Sequence, residues 1–129
     1  MSAMRRVLVL AAVGEAATGV ALLLVPSLVG QLLFGVELTG IAMTVARVTG
    51  IALVALGVAC FSAGEAGQGL SGMLTYSLLA TLYLVYLGRG GEWVGSLLWL
   101  AAAIHAALTV LLATSWLKNR QGKGKALPK

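Results

Sequence analysis

Four side chains could do chemistry in this sequence. Glu15 is the one carboxylate inside the apolar run "LAAVGEAATGVALLLVP", and Arg47, Tyr76 and His105 stand well inside the other apolar runs. A carboxyl can carry a proton or pair with a cation. A guanidinium can fork onto it, an imidazole can relay a proton or ligate a metal, and a phenol can donate a hydrogen bond. Counting from the outer ends of four spanning helices, at about 1.5 Å of rise per residue, places Glu15 about 15 Å deep, Tyr76 about 16 Å, His105 about 18 Å and Arg47 about 9 Å. Three of the four thus share one level, and the long Arg47 side chain can reach down towards it or up to the head groups.

An isolated charge at that depth costs several kcal/mol, so Glu15 must be paired, protonated or open to water. The sequence reading pairs it with Arg47, because neighbouring antiparallel helices joined by one connection normally touch. If the pair does not form, the remaining reading is a protonated Glu15 carboxyl bonded to Tyr76 or His105. The Glu15/Arg47 pair can be a registry device or a functional one. His105 can be a helix–helix hydrogen bond within an alanine-rich face, or an axial haem ligand. Tyr83 stands seven residues after Tyr76 on the same helical face, with Tyr86 close by; these two and Trp99 form a candidate aromatic wall that also reads as plain packing. Metal binding by the chain alone is not expected, since Cys60, the only cysteine, falls about 28 Å deep, some 10 Å from the level of His105. No nucleophile with its base appears, so no catalytic residue is assigned.

The elements that hold these residues follow from composition. Of 129 residues, 60% are hydrophobic and 10% charged, far from the balance of a soluble domain. Apolar runs at 7–25, 41–63, 70–87 and 93–117 are each long enough to cross a bilayer core as helix. The expected fold is therefore an all-α integral membrane four-helix bundle covering residues 1–117. The opening "MRRVLVLAAV" resembles a signal peptide, but the apolar character continues to Val25 without a small-x-small cleavage site, which favours a first spanning helix. Small residues such as Gly19, Ala46, Gly50, Gly57 and Ala102 would let helix backbones approach closely, giving a tight bundle.

The connections differ in character. "PSLVGQLLFGVELTG" is too apolar for a water-exposed loop and reads as an interfacial segment with Leu28, Leu32, Leu33 and Phe34 towards lipid or the bundle. "GEAGQGLSG" reads as a flexible turn, and "GRGGE" as a short one. Gly67, Gly69 and Gly72 match a dinucleotide-binding fingerprint, with Glu92 about twenty residues on, but membrane spans on both flanks exclude the strand and soluble helix the fingerprint needs. Arg5, Arg6 and the tail "KNRQGKGKALPK" concentrate positive charge at both ends of the chain, which predicts both termini in the cytoplasm. Residues 118–129 are too polar to bury a core and are expected as a disordered tail against anionic lipid, with no role for nucleic acid.

Glu15, Pro26, "LLFG" and then Arg47 within "RVTGIALVALG" resemble the small bacterial membrane proteins grouped as DoxX-like, over roughly the first two helices. Some DoxX-like proteins accompany quinone-linked oxidoreductases. The resemblance implies an accessory or anchor subunit in a bacterial inner membrane, with a membrane-protein partner or a second copy of itself. Binding of a quinone, haem or lipid is the alternative. Glu15 in helix 1 is also similar to the proton-exchanging glutamate of the small multidrug resistance exporters, which would imply proton-coupled transport. Arg47, which would repel a cationic substrate, and the long apolar first connection depart from that pattern.

Overall fold

The computed structural model describes residues 2–62 and 68–124, which form five helices and no strand. They are α1 (Ala3–Leu24), α2 (Pro26–Phe34), α3 (Ile41–Ser62), α4 (Gln68–Gly90) and α5 (Leu98–Gly124). All but α2 are long and apolar enough to cross a membrane, so the chain is an all-α, multi-pass membrane bundle.

Local chemistry sets the boundaries. The Ser2 hydroxyl caps α1 by accepting from the Arg5 amide. Proline disfavours helical backbone in the residue before it, so Val25 leaves the helical region and Pro26 opens α2 at a position where its missing N–H costs nothing. Gly35, with φ of 74°, closes α2 in the left-handed conformation, and its N–H returns to the Gln31 carbonyl. The interfacial segment is thus a separate two-and-a-half-turn helix.

The last helix departs from the expected bounds at both ends. It starts at Leu98 rather than 93, because residues 91–97 dock on α2: the Gly95 and Leu97 amides donate to the Leu33 and Leu32 carbonyls at 2.9 and 2.8 Å. Those carbonyls at the end of α2 have no partner within the helix, and the docked loop supplies one. At its other end α5 runs seven residues past 117 to Gly124, with the Arg120 guanidinium 4.2 Å over the Trp116 ring. The first half of the tail expected to be disordered is therefore helical. Residues 125–129 lie outside the described residues, as do 63–67 in the "GEAGQGLSG" turn. Gly69 and Gly72 of the rejected fingerprint sit inside α4.

Two helix pairs make the bundle. Helices α1 and α3 lie backbone to backbone, since a Cβ at Gly19 or at Gly50 would come 2.6 Å from the other's carbonyl oxygen, and a Cβ at Gly57 equally close to that of Ala12. Helices α4 and α5 form the second pair, with the Trp99 ring lying against Gly88. At the end that holds both termini, Leu8, Ala11 and Ala12 of α1, Cys60 of α3, Leu70 and Met73 of α4 and Leu112 of α5 knit the pairs into one core. At the α2 end the buried cluster of Leu84, Leu98 and Ala102 belongs to α4 and α5, with Phe34 against it. The expectation of a tight bundle holds within each pair and at the terminal end. Elsewhere the pairs part around a cavity, because Ala42 and Ala46 of α3, Ala80 of α4 and Ala101 of α5 face it and are too short to fill it.

Candidate functional site

The cavity encloses about 1230 Å³, more than the roughly 300–1,000 Å³ usual for a small-molecule site. Helix α2 covers it through Val29, Leu32, Leu33 and Phe34, and apolar side chains of the four spans line it throughout the rest of its height. Its polar groups are few. Thr18 and Thr49 donate their hydroxyls to the Gly14 and Val45 carbonyls one turn back, as spanning helices require in a solvent without water. What remains on the inner wall is Glu15, Tyr76 and His105, with Tyr83 nearer the lipid.

Three helices bring those residues together. Glu15 of α1 is buried to 5% exposure, and its Oε1 lies 3.3 Å from Nε2 of His105 on α5. The other imidazole nitrogen, Nδ1, is 2.8 Å from the Ala101 carbonyl one turn back on the same helix. The Tyr76 ring of α4 meets the imidazole edge-on with centroids 5.8 Å apart, and its hydroxyl approaches the Glu15 carboxyl. Nε2 and the carboxyl stand at ion-pair distance without a hydrogen bond aligned between them; Nε2 is closed off from free space, so it is the Glu15 carboxyl that keeps bonding capacity towards the cavity.

Because a carbonyl only accepts, Nδ1 carries its hydrogen. Two arrangements then fit the 3.3 Å contact: a carboxyl proton directed at the Nε2 lone pair, or an Nε2 proton directed at a carboxylate. They differ by the transfer of one proton and have the same net charge of zero. No family model, curated protein or solved structure matches this chain. Function must therefore be read from the site itself.

Of the residues marked in the sequence, Glu15, Tyr76 and His105, which share one depth by helical rise, come together here, and Tyr83 shares the cavity face of α4 with Tyr76. The expected ion pair between Glu15 and Arg47 is corrected. Arg47 is exposed and does not line the cavity, and the partner of Glu15 is His105. The cause is helical phase. Ala46, Gly50, Leu53 and Gly57 form the buried stripe of α3, with the cavity on one side of it and Arg47 about 100° round on the other. Tyr86 is exposed and stacks on Tyr83, and Trp99 packs on Gly88; neither lines the cavity. Among the described residues no three His, Cys, Asp or Glu side chains gather as metal ligands.

The α2 lid was only half visible in sequence, since its apolar residues were evident but the helix they form and the loop that pins it were not. One signal for the cavity was present: alanines rather than leucines on three helices between the level of Glu15 and the α2 end.

Proposed function

We propose that this protein binds a lipid-soluble molecule inside the bilayer, with the molecule's apolar body against the cavity walls and its polar head on Glu15, Tyr76 and His105. One observation carries this reading: a carboxyl buried to 5% exposure, beside an imidazole whose Nε2 lacks a hydrogen bond, lines a cavity of about 1230 Å³ that is otherwise apolar. Polar groups left with bonding capacity in a dry site cost stability, and a ligand head that bonds to them recovers that cost. An accessory or anchor role would use the lipid-facing surfaces alone and needs neither the cavity nor its polar wall. Quinones head the candidate ligands, because they join an apolar tail to carbonyls that accept hydrogen bonds and because the DoxX-like resemblance points the same way. Haem is less well served, since Nε2, the nitrogen free to ligate iron, is buried and directed at Glu15.

The same proposal places the chain in a bacterial inner membrane with both termini cytoplasmic, on the strength of Arg5, Arg6, Lys118, Arg120 and Lys123 at the terminal end against Glu37, Arg89 and Glu92 at the other. The test is purification in mild detergent followed by solvent extraction and mass spectrometry of what co-elutes. A stoichiometric lipid-soluble compound is expected from the natural sequence and in reduced yield from Ala42→Phe, whose ring takes up part of the cavity from α3. Equal retention by that variant would refute the assignment.

A further inference from the structure

We infer that the cavity selects its occupant by head-group charge, taking a bilayer-dissolved molecule with an uncharged hydrogen-bonding head and refusing heads of fixed charge of either sign. The inference deepens the proposed binding role and rests on it.

Access supports a ligand that arrives from lipid. Several side chains that line the cavity are also more than half exposed: Leu10 of α1 and Ile104 of α5, and Val45 of α3 with Leu79 and Tyr83 of α4. Such residues border openings between the two helix pairs. At the terminal end α3 and α4 share a core through Cys60, Leu70 and Met73, with the Cys60 thiol donating to the Gly69 carbonyl, whereas at cavity level Val45 of α3 and Leu79 and Tyr83 of α4 are more than half exposed. The openings face the hydrocarbon of the bilayer, and the apolar side chains around them suit a tail rather than a solute entering from water.

Charge at the inner wall determines which head the site accepts. With Nδ1 committed to Ala101, Glu15 and His105 hold one proton between them and are together neutral. Among the described residues no lysine or arginine lines the cavity: Arg47 points away on α3, and Arg89 lies in the last turn of α4. Tyr76 and Tyr83 add only neutral phenols. A sulfonate or phosphate arriving at Glu15 therefore meets no countercharge in a site without water, which is strongly unfavourable. A quaternary ammonium would require the pair to lose its proton, setting the Nε2 lone pair against a carboxylate oxygen at 3.3 Å. A hydroxyl or carbonyl head requires neither. It can accept from the Glu15 carboxyl when that group holds the proton, and a hydroxyl can donate to the carboxylate when His105 holds it, so the capacity left by the poorly aligned contact is used.

The experiment compares three ligands with one tail, hexadecanol, hexadecanesulfonate and hexadecyltrimethylammonium, each at the same mole fraction in nanodiscs. The protein's thermal midpoint reports binding to the folded state. Hexadecanol is expected to bind the natural sequence at least tenfold more tightly than either charged compound. Thr49→Arg, which puts a cation on the cavity face of α3, should raise sulfonate affinity at least tenfold. Equal binding of all three heads, or tightest binding by a charged one, would overturn charge selection while leaving cavity binding intact. No response of Thr49→Arg to the sulfonate would overturn it as well. If hexadecanol gave the same midpoint shift with Ala42→Phe as with the natural sequence, the cavity-binding reading itself would fall.

Discussion

Leu substitutions at Glu15, His105 and Arg47, singly and in the pairs that include Glu15, distinguish the partner the structure gives Glu15 from the one its sequence suggested. Unit charges 3.3 Å apart attract by about 5 kcal/mol at an effective dielectric of 20, but desolvation of both groups cancels most of that. Intramembrane polar contacts measured by double-mutant cycles average about 0.6 kcal/mol and reach about 1.7. The Glu15–His105 contact is buried on both sides, at 6% and 16% side-chain exposure, so its coupling belongs near the upper end, about 1–2 kcal/mol. Arg47 makes no contact with Glu15, and that cycle should be additive within about 0.5 kcal/mol. The single variants should be unequal. His105→Leu leaves a buried carboxyl with Tyr76 alone, whereas Glu15→Leu leaves an imidazole still bonded to Ala101, so the loss at His105 should be larger. The assay is thermal or denaturant unfolding in one detergent, read as two cycles. Coupling between Glu15 and Arg47 with additivity between Glu15 and His105 would refute the site geometry.

Three further outcomes follow from packing and charge. Gly50→Ala places a Cβ 2.6 Å from the Gly19 carbonyl oxygen and must separate α1 from α3, costing about 1–3 kcal/mol in unfolding measurements, whereas Gly72→Ala, with nothing within 4 Å, should be neutral or gain up to about 1 kcal/mol of helix propensity. Leu112→Ala hollows the terminal-end core at a fully buried position and should lower unfolding free energy by about 2–5 kcal/mol, read by the same assay. A reporter active only outside the cytoplasm, fused after Lys129, should be silent; activity there would reverse the proposed orientation.

Much of this architecture was legible because membrane spans are written in long apolar runs, and α1 and α3 fall within a few residues of their expected bounds. The meeting of Glu15, Tyr76 and His105 was legible as depth, since helical rise alone puts three residues from different helices at one level. Depth is only one coordinate, however. Arg47 was misassigned because rotational phase decides which neighbour a side chain faces, and a helix surrounded by lipid or apolar protein carries no strong amphipathic pattern from which to read phase. The cavity was hidden for a related reason. Ala42, Ala46, Ala80 and Ala101 look like close-packing residues, as Gly19 and Gly50 are, and only the spacing of the two helix pairs tells a packed alanine from one that borders empty space. The late start of α5 depended on hydrogen bonds from Gly95 and Leu97 to a helix some sixty residues earlier, which no local pattern encodes.

The exchange of partners changes what Glu15 is suited to do. A guanidinium keeps its charge, so a Glu15–Arg47 pair would be a fixed ionic clamp, useful for register and unable to pass a proton on. An imidazole fixed through Nδ1 can exchange one proton with Glu15 through Nε2 alone, with no change in net charge and no large movement of either helix. That property suits the wall of a dry cavity, where a head group that gives up or takes a proton needs a neighbour able to compensate. It also assigns Arg47 a simpler task. About 9 Å below the boundary on the lipid-facing side of α3, its side chain is long enough to bring the guanidinium up to the head groups and fix that helix at its level. The charge that cannot be neutralised is thereby kept out of the cavity, and the acid–base pair left inside is one that stays neutral while its proton moves.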